Sequence, residues 1–178
     1  MKNLEIDYGT EQAASQRLVP IEIKQNPIMS TKNLTINSKD LTKEYPRSPR
    51  ETLGGYVIAA RTLDKCRAQL AGKLGEYHFD CPLDKLFFEF AGISADQFKD
   101  FVATGASDKE MASWINTQAR QRPQIEVIKW NNKMRDKRLS DLPDEAQEFL
   151  EEYIPKCLSK GRPVYCWFDV YDIEEKRI

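Results

Sequence analysis

Read for hydrophobic period, the chain divides near residue 40. Before that point only Val19, Ile21 and Ile23 alternate in the manner of a short strand. Polar runs such as MSTKNLTINSKD (Met29–Asp40) have the composition of a mobile terminus, and Met29 is a natural alternative start. Residues 1–39 are therefore expected to form a mostly irregular, peripheral extension, with residues 1–28 outside the core and 40–178 a single domain. The organised part opens at Ser48-Pro49-Arg50-Glu51, where serine at N-cap, proline at N1 and glutamate at N3 spell a capping box, so a helical turn is expected. Gly54-Gly55 should interrupt it, because two glycines inside a helix cost about 2 kcal/mol relative to alanine. A longer helix is predicted over 59–71. Ala59, Leu63, Cys66 and Leu70 form its apolar stripe, with Arg61, Asp64 and Lys65 on the opposite side. Val57 and Ile58 fall off that stripe, and Gly72 ends the helix.

Residues 75–80 are too short and mixed for a helix and read as an extended connector. Pro82 opens a short, very apolar helix with Leu83, Leu86, Phe87 and Phe90 on one face and Phe88 on another, closed by Gly92. Two further capping boxes, Ser94-x-x-Gln97 and Ser107-x-x-Glu110, flank Gly105 and define an αα-hairpin with core faces Phe98/Phe101/Val102 and Met111/Trp114/Ile115. A helix over about 124–137 follows Pro123. Pro143 opens another to about 158, which Pro155 should kink. The tail VYCWFDVYDIEE (Val164–Glu175) fits strand or helix, with helix preferred. The expected fold class is all-α: a single-domain bundle of five to seven helices containing an αα-hairpin.

Several of these blocks carry a resemblance. DLTKEYPRSPRETLGGYVIAARTLDKCRA (Asp40–Ala68), GEYHFDCPLDKLFFEFAGI (Gly75–Ile93), DKEMASWI (Asp108–Ile115), the asparagine after Trp130 and the closing WFDVYDIEE resemble a bacterial family described as domain of unknown function fifty sixty-nine. The likeness covers about residues 40–174. It implies a bacterial cytosolic protein and a start close to the DLTK segment. It brings no reaction, cofactor or catalytic residue, and no requirement for cysteine at positions 66 and 81.

Charge narrows the function classes. With 27 Lys+Arg against 28 Asp+Glu, the net charge of −1 argues against a general nucleic-acid binder. No apolar run is long enough to span a membrane, and MKNLEIDYGTEQ lacks the apolar core of a signal peptide, so a cytoplasmic protein is expected. The near-neutral total hides blocks: residues 43–67 carry a net +3, 68–116 a net −4, 117–138 a net +5 and 139–155 a net −6. Neighbouring blocks of opposite sign are expected to pair across the fold. Four cysteines occur, Cys66, Cys81, Cys157 and Cys166, without a C-x-x-C. His78-x-x-Cys81, with Cys66, is the one metal-like grouping. Structural zinc sites usually show two close pairs, so reduced thiols and no metal are expected.

No phosphate loop, nucleophile elbow or dinucleotide fold signature is present, and no cofactor is implied. With a single histidine, Ser/His or Cys/His catalysis must run through His78. Cys81, at a helix N-terminus, or Glu76 would then serve as its partner in proton transfer or acyl chemistry. A second grouping is polar. Arg67 lies at the margin of the 59–71 stripe and needs partners, because an unpaired buried charge costs several kcal/mol. Glu76, Tyr77 and His78 lie just beyond that helix, and Arg47 and Arg50 precede it. Together they form either a closed ion-pair network or a pocket accepting a carboxylate or phosphate. Asn131 falls between two apolar faces of its helix and should cap backbone or face a cavity. The leading expectation is a ligand- or partner-binding domain with a small anion-accepting pocket. The alternatives are the His78 enzyme and a helix-turn-helix on 94–121 with Arg120 and Arg122. Acidic Asp108 and Glu110 stand where that last arrangement would meet phosphates, so nucleic acid is not the expected partner.

Overall fold

The computed structural model describes residues 38–158 and 161–178. Val19–Ile23 and the Met29 start lie outside them. The described residues form seven α-helices: α1 (Ala59–Leu70), α2 (Pro82–Ala91), α3 (Ala95–Ala103), α4 (Asp108–Gln118), α5 (Gln124–Arg135), α6 (Asp144–Cys157) and α7 (Trp167–Glu174), with a 3-10 turn at Leu139–Asp141. Among the described residues there is no strand, only isolated bridges at Leu53–Tyr56 and Arg138–Cys166. The fold is all-α, as the hydrophobic period predicts.

Local chemistry sets most boundaries. Both hairpin boxes form in full: Ser94 accepts from the Gln97 amide and Ser107 from the Glu110 amide, while each N3 side chain reaches back to its N-cap backbone. Gly92 takes the left-handed conformation that ends α2. The box at Ser48 behaves differently. Glu51 accepts from the Ser48 amide, but the chain makes only a turn at 49–50. It cannot propagate, because Leu53 and Tyr56 close a tight turn over Gly54-Gly55 through two mutual backbone bonds of 3.0 and 3.1 Å. A side chain at Gly54 would meet Ile115 at 3.1 Å, in addition to needing a φ of +61°. α6 continues through Pro155 to Cys157. The proline sits exposed in the last turn, where only the end of the helix lies beyond the hydrogen bond it removes.

α1 is the axis of the molecule. It packs against α2 and α3, and every residue from Ala59 to Ala68 is buried. The expectation that Arg61, Asp64 and Lys65 turn away from the core is therefore corrected: Arg61 and Lys65 are each 2% exposed and Asp64 5%. Amphipathic reasoning assigns charged residues to water. Here helices and loops close over that side too, each bringing an opposite charge. The entry to α1 is strained. Ile58, its N-cap, is fully buried with φ +71°, a conformation unusual for a β-branched residue and one that costs on the order of 1–3 kcal/mol. It is held by its amide on the Pro49 carbonyl at 2.8 Å.

The apolar core beneath α1 is aromatic. Phe87, Phe88 and Phe98 meet edge-on or tilted at 5.3–6.1 Å. Phe90 and Trp130 stack at 4.5 Å, joining α2 to α5, and Phe101 stacks on Trp114 at 5.0 Å across the hairpin.

Candidate functional site

Four knots of charge surround α1. In the first, Arg47 chelates Asp64 through Nε and Nη2 (3.1 and 2.7 Å) and reaches Asp108 through Nη1 at 2.6 Å. Arg67 donates to the other Asp108 oxygen at 2.5 Å and to the Ala106 carbonyl at 2.7 Å. Burial works against the Asp108 carboxylate, but the bonds and charge of Arg67 and Arg47 outweigh it and hold its pKa below the usual value. In the second, Arg61 grips Glu175 with both terminal nitrogens (2.9 and 2.6 Å) and lies between the rings of Tyr77 and Tyr171. Tyr77 and Arg177 add further bonds to the same carboxylate. Burial opposes the charge on Glu175, yet Arg61 and Arg177 more than offset it, so its pKa is also lowered.

The third knot is the most enclosed. Lys65 Nζ lies 2.8 Å from Asp84 Oδ1, which also accepts from Thr62 Oγ1 at 2.8 Å. The same ammonium lies 3.2 Å from Cys81 Sγ. Asp84 is fully buried, and its Oδ2 has no hydrogen-bond partner. The fourth knot joins Arg50 to Asp172 and Asp169, both at 2.6 Å, with Ser48 Oγ donating to Asp172 at 3.0 Å. Burial resists the charge on Asp169, but bonds from the Cys166 amide and Arg50 prevail and lower its pKa.

The residues expected to converge are thus divided among different knots. Arg47 and Arg67 do meet, across Asp108. Arg67, however, donates to Asp108 and Ala106 and not to residues 76–78. Tyr77 serves Arg61's carboxylate instead, while Glu76 and His78 are exposed. Arg50 belongs to the α7 knot. Asn131 is consumed by backbone, accepting from the Val57 amide at 3.1 Å and donating to the Gly55 carbonyl at 2.7 Å. It caps the glycine turn and fixes α5 to the entry of α1. Geometrically the arginines form a closed network, each neutralised by carboxylates, rather than donors left open for an anion. Sequence reasoning missed Arg61, Lys65, Asp84 and Glu175. The signal available was a helix carrying charge on both sides of its stripe.

The expected pairing of charge blocks holds for the first two, through Arg47–Asp108, Arg67–Asp108 and Lys65–Asp84. It fails for the last two. Among the described residues no ion pair joins 117–138 to 139–155; the pairs found there, Arg122–Glu126 and Lys156–Glu152, are local. The reason is placement: the basic residues of α5 and the acidic residues of α6 project to solvent from separate helices. α5 buries only Asn131 and Met134 of its 12 residues. Ile125 and Ile128 stand 54% and 43% exposed beside Lys129 and Lys133. The helix-turn-helix alternative loses its second arginine, since Arg122 lies over the Phe90 ring at 4.6 Å and pairs with Glu126. An open depression of about 660 Å³ on the hairpin, floored by Phe101 and Trp114 and rimmed by Lys109 and Glu110, contains none of the expected site residues.

Among the described residues, no group of three or more His, Cys, Asp and Glu side chains is arranged to hold a metal ion, and no helix is long and apolar enough to cross a membrane. No curated protein matches the chain. The motifs around α1 and α2, by contrast, are shared: a family model matches residues 43–177, and the chain belongs to the family described as Domain of unknown function (DUF5069).

Proposed function

We propose that this protein is a partner-binding domain, formed by residues 40–178 with 1–39 peripheral, and that α5 presents its binding face to an acidic protein surface. One observation carries this reading: a 12-residue helix that buries two side chains while exposing two isoleucines flanked by unpaired lysines. Buried aliphatic anchors with a charged rim are how an amphipathic helix is recognised. The anion preference expected from the sequence is retained, but it moves from the neutralised arginines to Lys129 and Lys133. Four free thiols fit a cytoplasmic, reducing setting.

The probe is a designed amphipathic peptide with leucines on one helical face and glutamates on its flanks, titrated calorimetrically. Ile125→Ser with Ile128→Ser should abolish measurable binding. Lys129→Glu with Lys133→Glu should weaken it about fivefold, the worth of two exposed charge pairs. Binding that favours duplex DNA over the peptide, or that ignores both double variants, refutes the reading.

A further inference from the structure

The chain carries an acidic surface of its own. α6 buries only Ala146 and Leu150 of its 14 residues. Among the described residues the one ion pair on this helix is internal, Glu152 with Lys156 at 3.3 Å. Asp144, Glu145, Glu148 and Glu151 are left exposed and unmatched, with half-buried Phe149 and Ile154 at the margins of their face. α5 presents the opposite charge in the same form. Lys129 and Lys133 stand four residues apart beside the exposed Ile125 and Ile128, as Asp144 and Glu148 do on α6. That spacing gives both rows a repeat of about 6 Å, so cations of one helix can match anions of the other in register.

We propose that the acidic surface met by α5 is α6 of a second copy, in a two-fold dimer that lays α5 of each chain on α6 of the other. This rests on α5 being a binding face, as proposed above, and names its partner. Charge complementarity carries it. Residues 117–138 hold a net +5 and residues 139–155 a net −6, and among the described residues no ion pair joins the two blocks within the chain. A foreign acidic partner would satisfy α5 and leave α6 unmatched. A second copy satisfies both at once. A two-fold axis repeats every contact, so two complementary blocks on one chain close on themselves and recruit no third chain.

The two faces are close enough to share one interface. Only residues 136–143 separate the helices in sequence, a reach of about 30 Å at full extension. That is the breadth of a standard contact of about 800 Å² per partner. Ile125 and Ile128 supply the apolar anchor on one side of the lysines. Exposed charge pairs contribute little singly, so the dimer should be weak, with a Kd on the order of 10–100 μM at low salt. It should dissociate as added salt screens the charges.

The test is sedimentation of the full chain up to about 500 μM, in about 50 mM and then about 500 mM salt. Dimer is expected in the first and monomer in the second. Lys129→Glu with Lys133→Glu reverses one face, and Glu148→Lys with Glu151→Lys reverses the other. The two-fold presents each reversed charge twice, so either variant should weaken self-association at least about thirtyfold. All of these positions are exposed, so both variants should melt as the wild type does. Mixed in equal amounts, they should form a heterodimer as tight as the wild-type dimer, because each reversed face then meets a reversed face. Monomer throughout at low salt, a dimer that survives either reversal, a mixture that stays monomeric, or species growing beyond the dimer each overturns the proposal. The acidic peptide separates this failure from that of the underlying reading. A monomeric chain whose α5 still binds the peptide overturns the dimer alone, whereas a monomeric chain that ignores the peptide overturns both.

Discussion

Replacing Glu175 by glutamine isolates the cost of burying Arg61. The substitution preserves volume and leaves the guanidinium in place, and an arginine cannot escape by losing its proton. Wild-type Arg61 makes two bonds to Glu175, one to the Arg47 carbonyl at 3.1 Å, and contacts with two tyrosine rings. Without the carboxylate only the carbonyl, the rings and one amide oxygen remain to balance a full charge that is 2% exposed. Breaking a buried pair from one side costs roughly 3–5 kcal/mol. At about 2–4 °C per kcal/mol for a domain of this size, Tm should fall by roughly 6–20 °C. Arg61→Met combined with Glu175→Leu removes both charges and should recover most of the loss, less about 1 kcal/mol for the acceptor taken from Tyr77. Denaturant melts of wild type, Arg61→Met, Glu175→Leu and the double variant complete a double-mutant cycle, with Glu175→Gln measured beside them. If Glu175→Gln costs under about 1 kcal/mol, or the double variant is as unstable as the sum of its singles, the pair is not the buried unit described.

Acid should unfold the protein through the same network. Glu175, Asp108 and Asp169 have lowered folded-state pKa values, so the stability they contribute is present above the ordinary carboxylate range and is lost as pH falls through the folded values. Equilibrium melts from pH 7 to 3 should show a decline beginning near pH 5, and a flat profile would contradict this assignment. Asn131→Ala strands the Val57 amide and Gly55 carbonyl, and should cost about 2–4 kcal/mol by urea titration. Asn131→Asp should not rescue it, because a carboxylate cannot donate to the carbonyl. Gly75→Ala should lose about 1–3 kcal/mol in the same assay, since φ is +62° and the new Cβ would lie 2.8 Å from the Leu41 carbonyl oxygen.

What the sequence makes legible here is local. Ser94 with Gln97, and Ser107 with Glu110, are interactions three residues long, so the hairpin ends can be read directly. The start of α1 after Ile58 follows from two residues that miss the apolar stripe, and the backbone shows why: Ile58 is bent out of helical conformation. The family resemblance, carried by motifs over about residues 40–174, agrees with the family match over 43–177. Arg61 and Lys65 could not be read in the same way. Hydrophobic period treats every charge as a vote for solvent. Their partners, Glu175 and Asp84, lie on other elements, Glu175 being 114 residues away. The place of Arg67 at the stripe margin does predict a partner, but that partner is Asp108, across the hairpin, and not the residues nearest in sequence. Local proximity is a poor guide once helices pack, because a carboxylate from any element can close over a charge.

The position of α7 has a consequence for the order in which the chain is made. Asp169, Asp172 and Glu175 neutralise Arg50 and Arg61, which are synthesised more than a hundred residues earlier. A nascent chain that has emerged only through α6 already holds the carboxylates of Lys65 and Arg67, but Arg61 on α1, and Arg50 before it, have none to receive them. Burying α1 at that stage would incur the full desolvation cost. The helical hairpin and the aromatic cluster can form during translation, but the central helix has reason to remain unclosed until the final helix arrives. Folding is thereby coupled to completion of this segment. A chain cut short before residue 175 should present its core to chaperones and proteases instead of a native surface.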